Sequence, residues 1–431
     1  MCRQSVAALS ITSLLLLTPC TLALAAVDFS GRAALSTDTA GQSFLQVNIG
    51  PLSNVQSLQR VEDYETRLSA LLDAEWRYSI SESHRLLLEN RLLYGSTVAR
   101  DRLNFSYRYR GPNGSKLDLD SETDLEEGEV FDRDETDVRQ AAVARWTRPL
   151  GSSRNRVEAY GRAEVRRVSG DTLFFPQSHN LGKARVTWFR DLGLLSSFNV
   201  GYVVEAVAAV DSAPGSYVEH GIESALDLYA GSSFHASGEV IAARRDYVNS
   251  DSSSATGWGL LSQASVRYSP SLSLDVEAKP ALEVARHDRP DFVYFDYDKA
   301  GLELGLKARP IDEVGLEIFP GTEMLRAPDA EREDYDQFHV SLGADVMAPG
   351  LWLDVSYKVG RRDYASPAPR DDLESIPRSD YVFGDLLLLA EKALWGPLTV
   401  RVTASHSVEW HELKEDDVTV FLLSSEISYR F

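Results

Sequence analysis

The chain has 431 residues, of which 43% are hydrophobic and 25% charged, and its 65 acidic side chains outnumber the 44 basic ones. This length predicts two domains or one large architecture, and the ordinary hydrophobic content excludes a disordered chain. The net charge of −21 argues against a surface for nucleic-acid phosphates, so we expect no nucleic-acid partner. After residue 26, no apolar run approaches the roughly 20 residues that a membrane-spanning helix needs.

The first residues have the pattern of an export signal. Residues 1–25 carry a single charge at Arg3, then an apolar core, and end in the small-x-small site Ala23-Leu24-Ala25. This pattern predicts a secretory signal peptide whose removal leaves 26–431. Both cysteines lie in the signal, so the exported chain is expected to form no disulfide. The segment Leu17-Thr18-Pro19-Cys20 faintly resembles a lipoprotein box, but proline occupies a position where a small residue is expected.

The rest of the chain alternates between apolar and polar residues with a period of two. The pattern is clear in 68–78, 102–109, 157–166 and 351–359, where each segment has one apolar face and one face of arginines, carboxylates and serines. Neighbouring side chains of a strand point to opposite sides of its sheet, so these segments predict two-faced β-strands. Their expected lengths of about 11–15 residues exceed the usual 5–6 of soluble strands.

The connections between the alternating segments are short and long in turn. Short ones such as 230–232, 348–350 and 395–397 contain glycine or proline, and the longer polar ones include 248–257 and 365–379. This order predicts an antiparallel up-and-down sheet, and it matches the short turns and long external loops of outer-membrane barrels. A soluble β-sandwich or propeller is the alternative. We disfavour it because the charged face persists on nearly every strand and no blade-like repeat recurs.

The last ten residues carry the most specific signal. Leu423, Ile427, Tyr429 and Phe431 share one parity, and the final residue is aromatic. This segment resembles the C-terminal assembly signal of Gram-negative outer-membrane proteins, in which a terminal strand ending in Phe is recognised by the barrel-insertion machinery. The resemblance implies a transmembrane β-barrel in the cell outer membrane. It also implies the insertion machinery, through Phe431, and outer-membrane lipids and lipopolysaccharide as partners.

The sequence predicts an all-β, antiparallel, up-and-down barrel of about 18 strands, within a range of 16–20. The segments 27–36 and 43–50 either raise the number to 20 or line the lumen. The predicted strands are 64–79, 84–95, 100–110, 138–148, 155–168, 181–190, 196–210, 217–230, 233–247, 258–268, 271–286, 295–309, 313–325, 335–348, 350–364, 380–394, 397–411 and 418–431.

A strongly acidic segment lies between two of the predicted strands. Residues 117–137 contain eleven carboxylates and a single base, Arg133, so we expect an acidic external loop near 111–137. Such a loop would constrict the channel, bind divalent cations or dock a basic partner. Alternatively it is a solvated acidic surface, since its spacing matches no known calcium-binding motif.

Two further groups of residues have predicted places in the barrel wall. Glu89 with Arg91, Glu158 with Arg162, and Glu164 with Arg166 are expected to pair on the lumen face, either to order permeating ions or only to neutralise one another. Aromatic residues near strand ends suit the girdles at the two membrane interfaces, with ordinary core packing as the alternative. These aromatic residues are Trp76, Tyr78, Tyr107, Tyr109, Trp146, Trp188, Tyr268, Trp352 and Trp395.

The sequence contains no convincing enzyme site. The pairs His235-Ala236-Ser237 and His339-Val340-Ser341 resemble the His-x-Ser of outer-membrane phospholipases, but their parity is that of the lumen face, whereas that family's site faces lipid. No haem, phosphate-loop or metal-ligand motif is present. We therefore expect no catalytic, cofactor-binding or metal residues.

The leading hypothesis is a channel, porin or export conduit that passes polar solutes or polymer across the outer membrane. The alternative is a non-conducting scaffold barrel that sheathes or docks a partner, such as a polysaccharide secretion apparatus or an electron-transfer cytochrome.

Overall fold

A computed structural model gives the fold. It describes residues 26–49, 55–95, 98–130, 133–169, 178–193, 195–210, 216–248, 256–290, 294–328, 330, 333–365, 379–412, 414 and 417–430. The predicted signal peptide and Phe431 lie outside these residues. No helix long and apolar enough to cross a membrane occurs in the part of the chain that the structure describes.

The described residues form one antiparallel sheet of 20 strands. The strands are β1 (Ala26–Ile49), β2 (Val55–Ser81), β3 (His84–Gly95), β4 (Val98–Arg110), β5 (Lys116–Val130), β6 (Arg133–Leu150), β7 (Ser152–Ser169), β8 (His179–Asp191), β9 (Ser197–Ala209), β10 (Tyr217–Ala230), β11 (Phe234–Tyr247), β12 (Gly257–Ser271), β13 (Leu274–His287), β14 (Tyr297–Ile311), β15 (Val314–Arg326), β16 (Tyr335–Ala348), β17 (Leu351–Tyr364), β18 (Tyr381–Trp395), β19 (Leu398–His411) and β20 (Val418–Arg430).

The sheet closes on itself into a barrel. Each strand pairs with the next along the chain, and β1 pairs with β20 from Arg32↔Arg430 to Ser43↔Thr419. Closure removes the two free sheet edges, so the backbone groups of the terminal strands also find partners. The prediction of an antiparallel up-and-down barrel is confirmed.

The two ends of the barrel differ in their connections. Tight connections such as 82–83, 231–233, 272–273 and 349–350 lie at one end, which we call the turn end. The strand ends on either side of 248–256 and of 365–380 lie at the other end, which we call the loop end. Strand β1 begins at the turn end, and β20 ends there. In outer-membrane barrels the short turns face the periplasm and the longer loops face outward.

Glycine makes several of the tight turns possible. Gly231 and Gly350 adopt φ values of 69° and 70°, in the left-handed region that other residues rarely enter. Both lie between strands that leave and re-enter the sheet within a few residues. The turn chemistry predicted from the sequence is therefore used where the chain reverses most sharply.

The strand number of 20 corrects the expected value of about 18. One added strand is β1, which pairs along its whole length with β2 and belongs to the wall rather than lining the lumen. The other is β5, which occupies most of the acidic segment. The expectation of an acidic external loop near 111–137 is wrong, because only 111–115 and 131–132 separate β4, β5 and β6 there.

The outer face of the wall is apolar over its middle. Central side chains of β14 and its neighbours point outward with large exposed fractions, among them Leu304 at 52%. Aromatic residues occupy outward positions near the turn end, including Trp76, Trp146 and Tyr268, and a second set with Trp258 and Trp410 lies towards the loop end. An apolar band between two aromatic girdles is typical of a barrel wall in lipid. Trp352 is an exception, because its register with Glu391 places it on the lumen face.

Candidate functional site: the lumen wall

The lumen face carries most of the charged side chains of the strands. Residues opposite one another in neighbouring strands share a face, so the register extends the inward set around the barrel. For example, Asp73 is opposite Arg91, and Arg102 is opposite Asp124. The outward positions on these strands hold mainly Leu, Val and aromatic residues, with the hydrogen-bonded pair Asn90 and Asp101 among them. The wall therefore separates a charged, wettable interior from an apolar exterior.

The two signs of charge are unevenly distributed around the lumen. We call β1–β8 the arginine arc and β9–β20 the carboxylate arc. The arginine arc holds lumen-facing carboxylates in nearly the same number as its bases, among them Asp73, Glu89 and Asp120, whereas carboxylates clearly outnumber bases in the carboxylate arc. Lumen-facing arginines of the arginine arc are Arg32, Arg77, Arg85, Arg91, Arg100, Arg102, Arg108, Arg110, Arg139, Arg145, Arg156, Arg162, Arg166 and Arg185. Lumen-facing acids of the carboxylate arc are Glu205, Glu219, Glu223, Asp227, Glu239, Asp275, Glu277, Glu283, Glu303, Glu317, Glu323, Asp345, Asp354, Asp385, Glu391, Glu409 and Glu426.

The densest group of charges lies on β4–β7, and we call it the ion-pair cluster. It consists of Arg100, Arg102, Glu122, Asp124, Glu126, Asp137, Arg139, Arg162, Glu164 and Arg166, and many of these residues line a cavity of about 240 Å³. The five arginines balance the five carboxylates in charge. This cluster forms a rigid polar surface on the lumen wall, because each of its side chains is held by an ion pair to a residue of a neighbouring strand or of its own strand.

Two carboxylates form the centre of this cluster. Asp124 accepts hydrogen bonds from both Arg100 and Arg102, and the Arg102 Nη2 to Asp124 Oδ2 distance is 2.9 Å. Glu164 pairs with Arg162 on its own strand, and with Arg139 of the neighbouring strand β6 at 3.1 Å. Their side chains are only 6% and 7% exposed. Burying a carboxylate this deeply requires compensating donors, and two arginines supply them to each acid.

The expected lumen pairs are inward as predicted, but most have different partners. Glu164 does not pair with Arg166 in the structure; instead Arg166 pairs with Asp137, with Nη2 2.6 Å from Oδ2. Glu158 pairs with Arg185 at 3.3 Å, and Arg91 pairs with Asp73 at 2.8 Å. These three partners lie across strands, where opposed side chains are close, whereas Glu164 also pairs with Arg162 two residues away on its own strand. Sequence spacing along a single strand could not reveal them.

Ion pairs also bridge other strands around the lumen. Arg32 of β1 pairs with Asp73 of β2 and Glu426 of β20 at 3.0 and 3.2 Å, so it spans the closure seam of the barrel. In the carboxylate arc, Lys307 lies 3.0 Å from Glu277 and Arg245 lies 2.7 Å from Glu219. These bridges supply cross-strand contacts on the face that has no apolar core.

Glycines in the carboxylate arc allow large lumen side chains to lie flat against the wall. The Phe319 ring covers Gly305, and a Cβ at Gly305 would fall 2.1 Å from that ring. Lys279 Nζ lies 3.9 Å from the centroid of the same ring, which is a cation–π contact. His339 similarly covers Gly321. The lumen of this arc therefore stays wider than its side-chain sizes suggest.

Tyrosine and arginine stack at the loop end of the lumen. Arg362 lies over the Tyr335 ring at 4.1 Å and over the Tyr381 ring at 5.5 Å, and Arg245 lies over Tyr217 at 4.3 Å. The Tyr335 hydroxyl donates to Glu323 at 2.6 Å. Tyr335 and Tyr381 are buried, so these stacks brace the mouth of the barrel.

The acidic segment belongs to this lumen wall. Its inward residues Asp118, Asp120, Glu122 and Asp124 alternate with outward Leu117 and Leu119 on β5. The sequence shows this alternation of apolar and acidic residues, but the high density of carboxylates favours the interpretation as a loop. The carboxylates on the inner face of β5 are therefore wall residues that face arginines of β4 and β6.

The His-x-Ser pairs lie on the lumen face, as their parity predicted. His235 contacts Asp227 at 2.8 Å and stacks on Tyr229. His339 is 4% exposed and contacts Glu303 at 2.9 Å. Each histidine thus has a carboxylate partner on another strand. Among the described residues, no group of three or more His, Cys, Asp and Glu side chains is arranged to hold a metal ion.

Comparisons with known proteins identify the fold. No protein-family model matches the chain, and no curated protein matches it. Solved structures do: the FrpB iron transporter from Neisseria meningitidis superposes with a TM-score of 0.61 and 9% identity, over 94% of this chain and 81% of that one. The copper transporter OprC gives 0.59 and 10%, over 94% and 80%. The siderophore receptor PirA from Pseudomonas aeruginosa gives 0.55 and 8%, over 94% and 80%.

The fold is that of a Gram-negative outer-membrane β-barrel. At 8–10% identity these likenesses concern architecture alone. Together with the closed wall, the apolar exterior and the aromatic girdles, they place the barrel in the outer membrane, as predicted.

Proposed function

We propose that this barrel transports polar solutes or polymer across the outer membrane as a passive conduit. The observation that carries the proposal is the division of the lumen wall into an arginine arc and a carboxylate arc. A transverse field of this kind orients water and separates the paths of anions and cations. The solved structures that share the fold are described as transporters and receptors, which supports a transport role over an enzymatic one.

The conduit is tested by the conductance of purified protein in planar bilayers. We expect steady open channels whose reversal potential in a salt gradient reports the balance of the two arcs. Arg100→Gln with Arg102→Gln leaves Asp124 and Glu126 unpaired in the lumen, so this variant should shift selectivity towards cations.

Two controls make the result interpretable. Arg148→Gln removes an arginine on the outer face and should leave selectivity unchanged. A variant that also carries Asp124→Asn removes the uncompensated acid and should return selectivity towards the parent. A barrel that is folded but silent in the bilayer overturns the conduit, and unchanged selectivity in the arginine variant overturns the role of the arcs.

The β1–β2 hairpin favours one second candidate, a scaffold that docks a partner. The pairing of β1 with β2 continues to Ile49↔Val55, whereas β1 leaves β20 after Ser43 and β2 meets β3 only from Ser69 onward. The hairpin therefore extends beyond the wall at the loop end. There the outer edges of β1 and β2 lie past the residues that pair with β20 and β3. Such edges pair readily with an added strand. Copurification of an electrically silent barrel with a partner would support this reading.

A further inference from the structure

Charged side chains interrupt the apolar exterior at several outward positions, and those near the loop end form one group. Five arginines occupy outward positions there, within three residues of the ends of β7, β11, β13, β15 and β17, and we call them with their partners the arginine belt. They are Arg167, Arg244, Arg286, Arg326 and Arg361, with partners Asn180, Asp246, Asp288, Asp298, Asp336 and Asp363. Their outward direction follows from the register, since Arg244 and Arg286 flank the exposed Trp258, and Arg361 is opposite the exposed Phe338.

The geometry of the belt repeats from strand to strand. Arg286 Nη1 donates to the carbonyls of Ala285 and Tyr297, both at 2.8 Å, and its Nη2 donates to Asp298 at 2.6 Å. Arg326 makes the same three bonds, to Leu325, Tyr335 and Asp336, at 2.8, 2.8 and 2.6 Å. Arg167 repeats the arrangement with an asparagine in place of the aspartate. These three guanidinium groups are therefore each bonded to two neighbouring strands. Arg244 and Arg361 differ, because they pair with Asp246 and Asp363 on their own strands.

The belt remains accessible despite these bonds. The Arg361 and Arg326 side chains are 58% and 45% exposed, and the Asp336 and Asp298 side chains are 69% and 49% exposed. Asp288, in the connection after β13, bonds Arg244, and this contact lowers the pKa of its carboxyl below the usual value. The aspartates are thus open to the exterior beside the guanidinium groups.

The opposite rim lacks this arrangement in the part of the chain that the structure describes. Near the turn end an aromatic girdle includes Trp76 and Trp146. The outward bases there are Arg148, Arg190 and Lys392, and they do not make the cross-strand bonds that Arg286 and Arg326 make. A symmetric bilayer would not require this difference between the rims. A leaflet whose headgroups carry phosphates would, because arginine forks match phosphate geometry and exposed carboxylates share divalent cations with phosphates.

We propose that the arginine belt binds the phosphate groups of anionic glycolipids in the outer leaflet, with guanidinium donors on the phosphate oxygens and divalent cations bridging phosphates to the aspartates. The belt lies at headgroup height on the lipid side, where a soluble ligand has little access. The competing explanation is that the arginines only cap strand ends. The proposal depends on the place of the barrel in the outer membrane and is independent of conduction through the lumen, so failure of either leaves the other intact.

The test measures binding of diphosphoryl lipid A to the folded, detergent-solubilised protein by native mass spectrometry, with dephosphorylated lipid A as the matched ligand. The belt variant combines Arg244→Gln, Arg286→Gln, Arg326→Gln and Arg361→Gln. We expect it to bind lipid A at least about tenfold more weakly, since it lacks four guanidinium groups that form charge-assisted hydrogen bonds to phosphate. EDTA should weaken binding to the parent protein.

Controls separate binding from strand capping. Arg148→Gln with Arg190→Gln removes outward arginines at the turn end and should leave binding within about twofold of the parent. The corresponding Arg→Lys belt variant keeps the charge and should retain an intermediate affinity, which keeps the test informative if the Gln variant fails to fold. Folding is checked by the heat-dependent shift on gels. Equal binding by the belt variant, equal binding of dephosphorylated lipid A, or displacement of the lipid by equimolar inorganic phosphate would overturn the proposal.

Discussion

Asp124 shows how a single residue depends on the closed wall around it. Its carboxylate lies on β5 between two arginines of β4, and its side chain is 6% exposed. In an unpaired strand the same residue would be solvated and would need no partner. The arginine fork matches the two carboxylate oxygens, so the pair fixes the register of β4 against β5 as well as neutralising charge.

Replacement of Asp124 by Asn should destabilise the barrel by about 2 kcal/mol, because Arg100 and Arg102 lose their shared carboxylate and keep only Glu126 and Glu122, at 3.3 and 3.6 Å. The measurement is urea unfolding in detergent, followed by tryptophan fluorescence. Asp118→Asn on the same strand is the control. Its carboxylate is 30% exposed and 3.9 Å from Arg108, so it should cost less than about 1 kcal/mol. Equal losses for the two variants would contradict the special role of Asp124.

At the scale of one strand, β14 shows the two faces of the wall. Leu302, Leu304 and Leu306 point outward, whereas Glu303 and Lys307 line the lumen. A shift of one residue would bring the leucines into the lumen and the charges into lipid, so the register is strongly specified.

Leu304→Arg should destabilise the folded barrel by about 2–4 kcal/mol in lipid, because it places a charge on the exterior near the middle of the strand. The control is Ser356→Arg on the lumen face of β17, which we expect to alter conductance more than stability. Urea unfolding in phospholipid vesicles measures the stability of both variants. Equal destabilisation at the two positions would contradict the assignment of the faces.

The closing strand β20 combines the predicted alternation of the last residues with the pairing that closes the barrel. Ile427 and Tyr429 point outward with exposed fractions of 55% and 50%, as the alternation of the last residues predicts. The strand pairs with β19 on one side and β1 on the other. We propose that Phe431, which follows β20 in the sequence, is the residue that the insertion machinery recognises.

Phe431→Ala should lower the amount of heat-modifiable barrel in the outer membrane of expressing cells, because the terminal aromatic residue would no longer engage the machinery. Phe421→Ala, within β20, is the control and should assemble at close to the parent level. Refolding of the purified Phe431→Ala chain into detergent should match the parent. A defect in this refolding as well would indicate a structural role instead of recognition.

At the scale of the whole molecule, the outer part of the β1–β2 hairpin is distinct from the closed wall of the barrel. The wall ends where β20 and β3 stop pairing, and the outer part of the β1–β2 ladder continues alone. The cohesion of the barrel comes from the closed ladder and the lumen ion pairs, neither of which involves the tip of that hairpin in the described residues.

Deletion of 46–59 with an Asn-Gly link should leave the barrel folded and conducting, since Leu45↔Arg60 then closes as a two-residue hairpin. Thermal unfolding and single-channel conductance measure the two properties. Loss of a copurifying partner in the deletion variant, with conductance absent in both forms, would favour the scaffold over the conduit. Failure of the variant to assemble would show that the hairpin is part of the wall.

The sequence by itself determined the barrel class, the orientation of its short and long connections, and the face of nearly every strand. It could do so because a period of two and turn residues are local properties. The strand total and the ion pairs required the tertiary structure. The carboxylates of β5 are indistinguishable from a solvated loop until Arg100, Arg102 and Arg139 are brought beside them, and β1 is recognisable as wall only once β20 closes on it. Charge partners and ring closure depend on residues far apart in the chain, and local patterns carry no information about them.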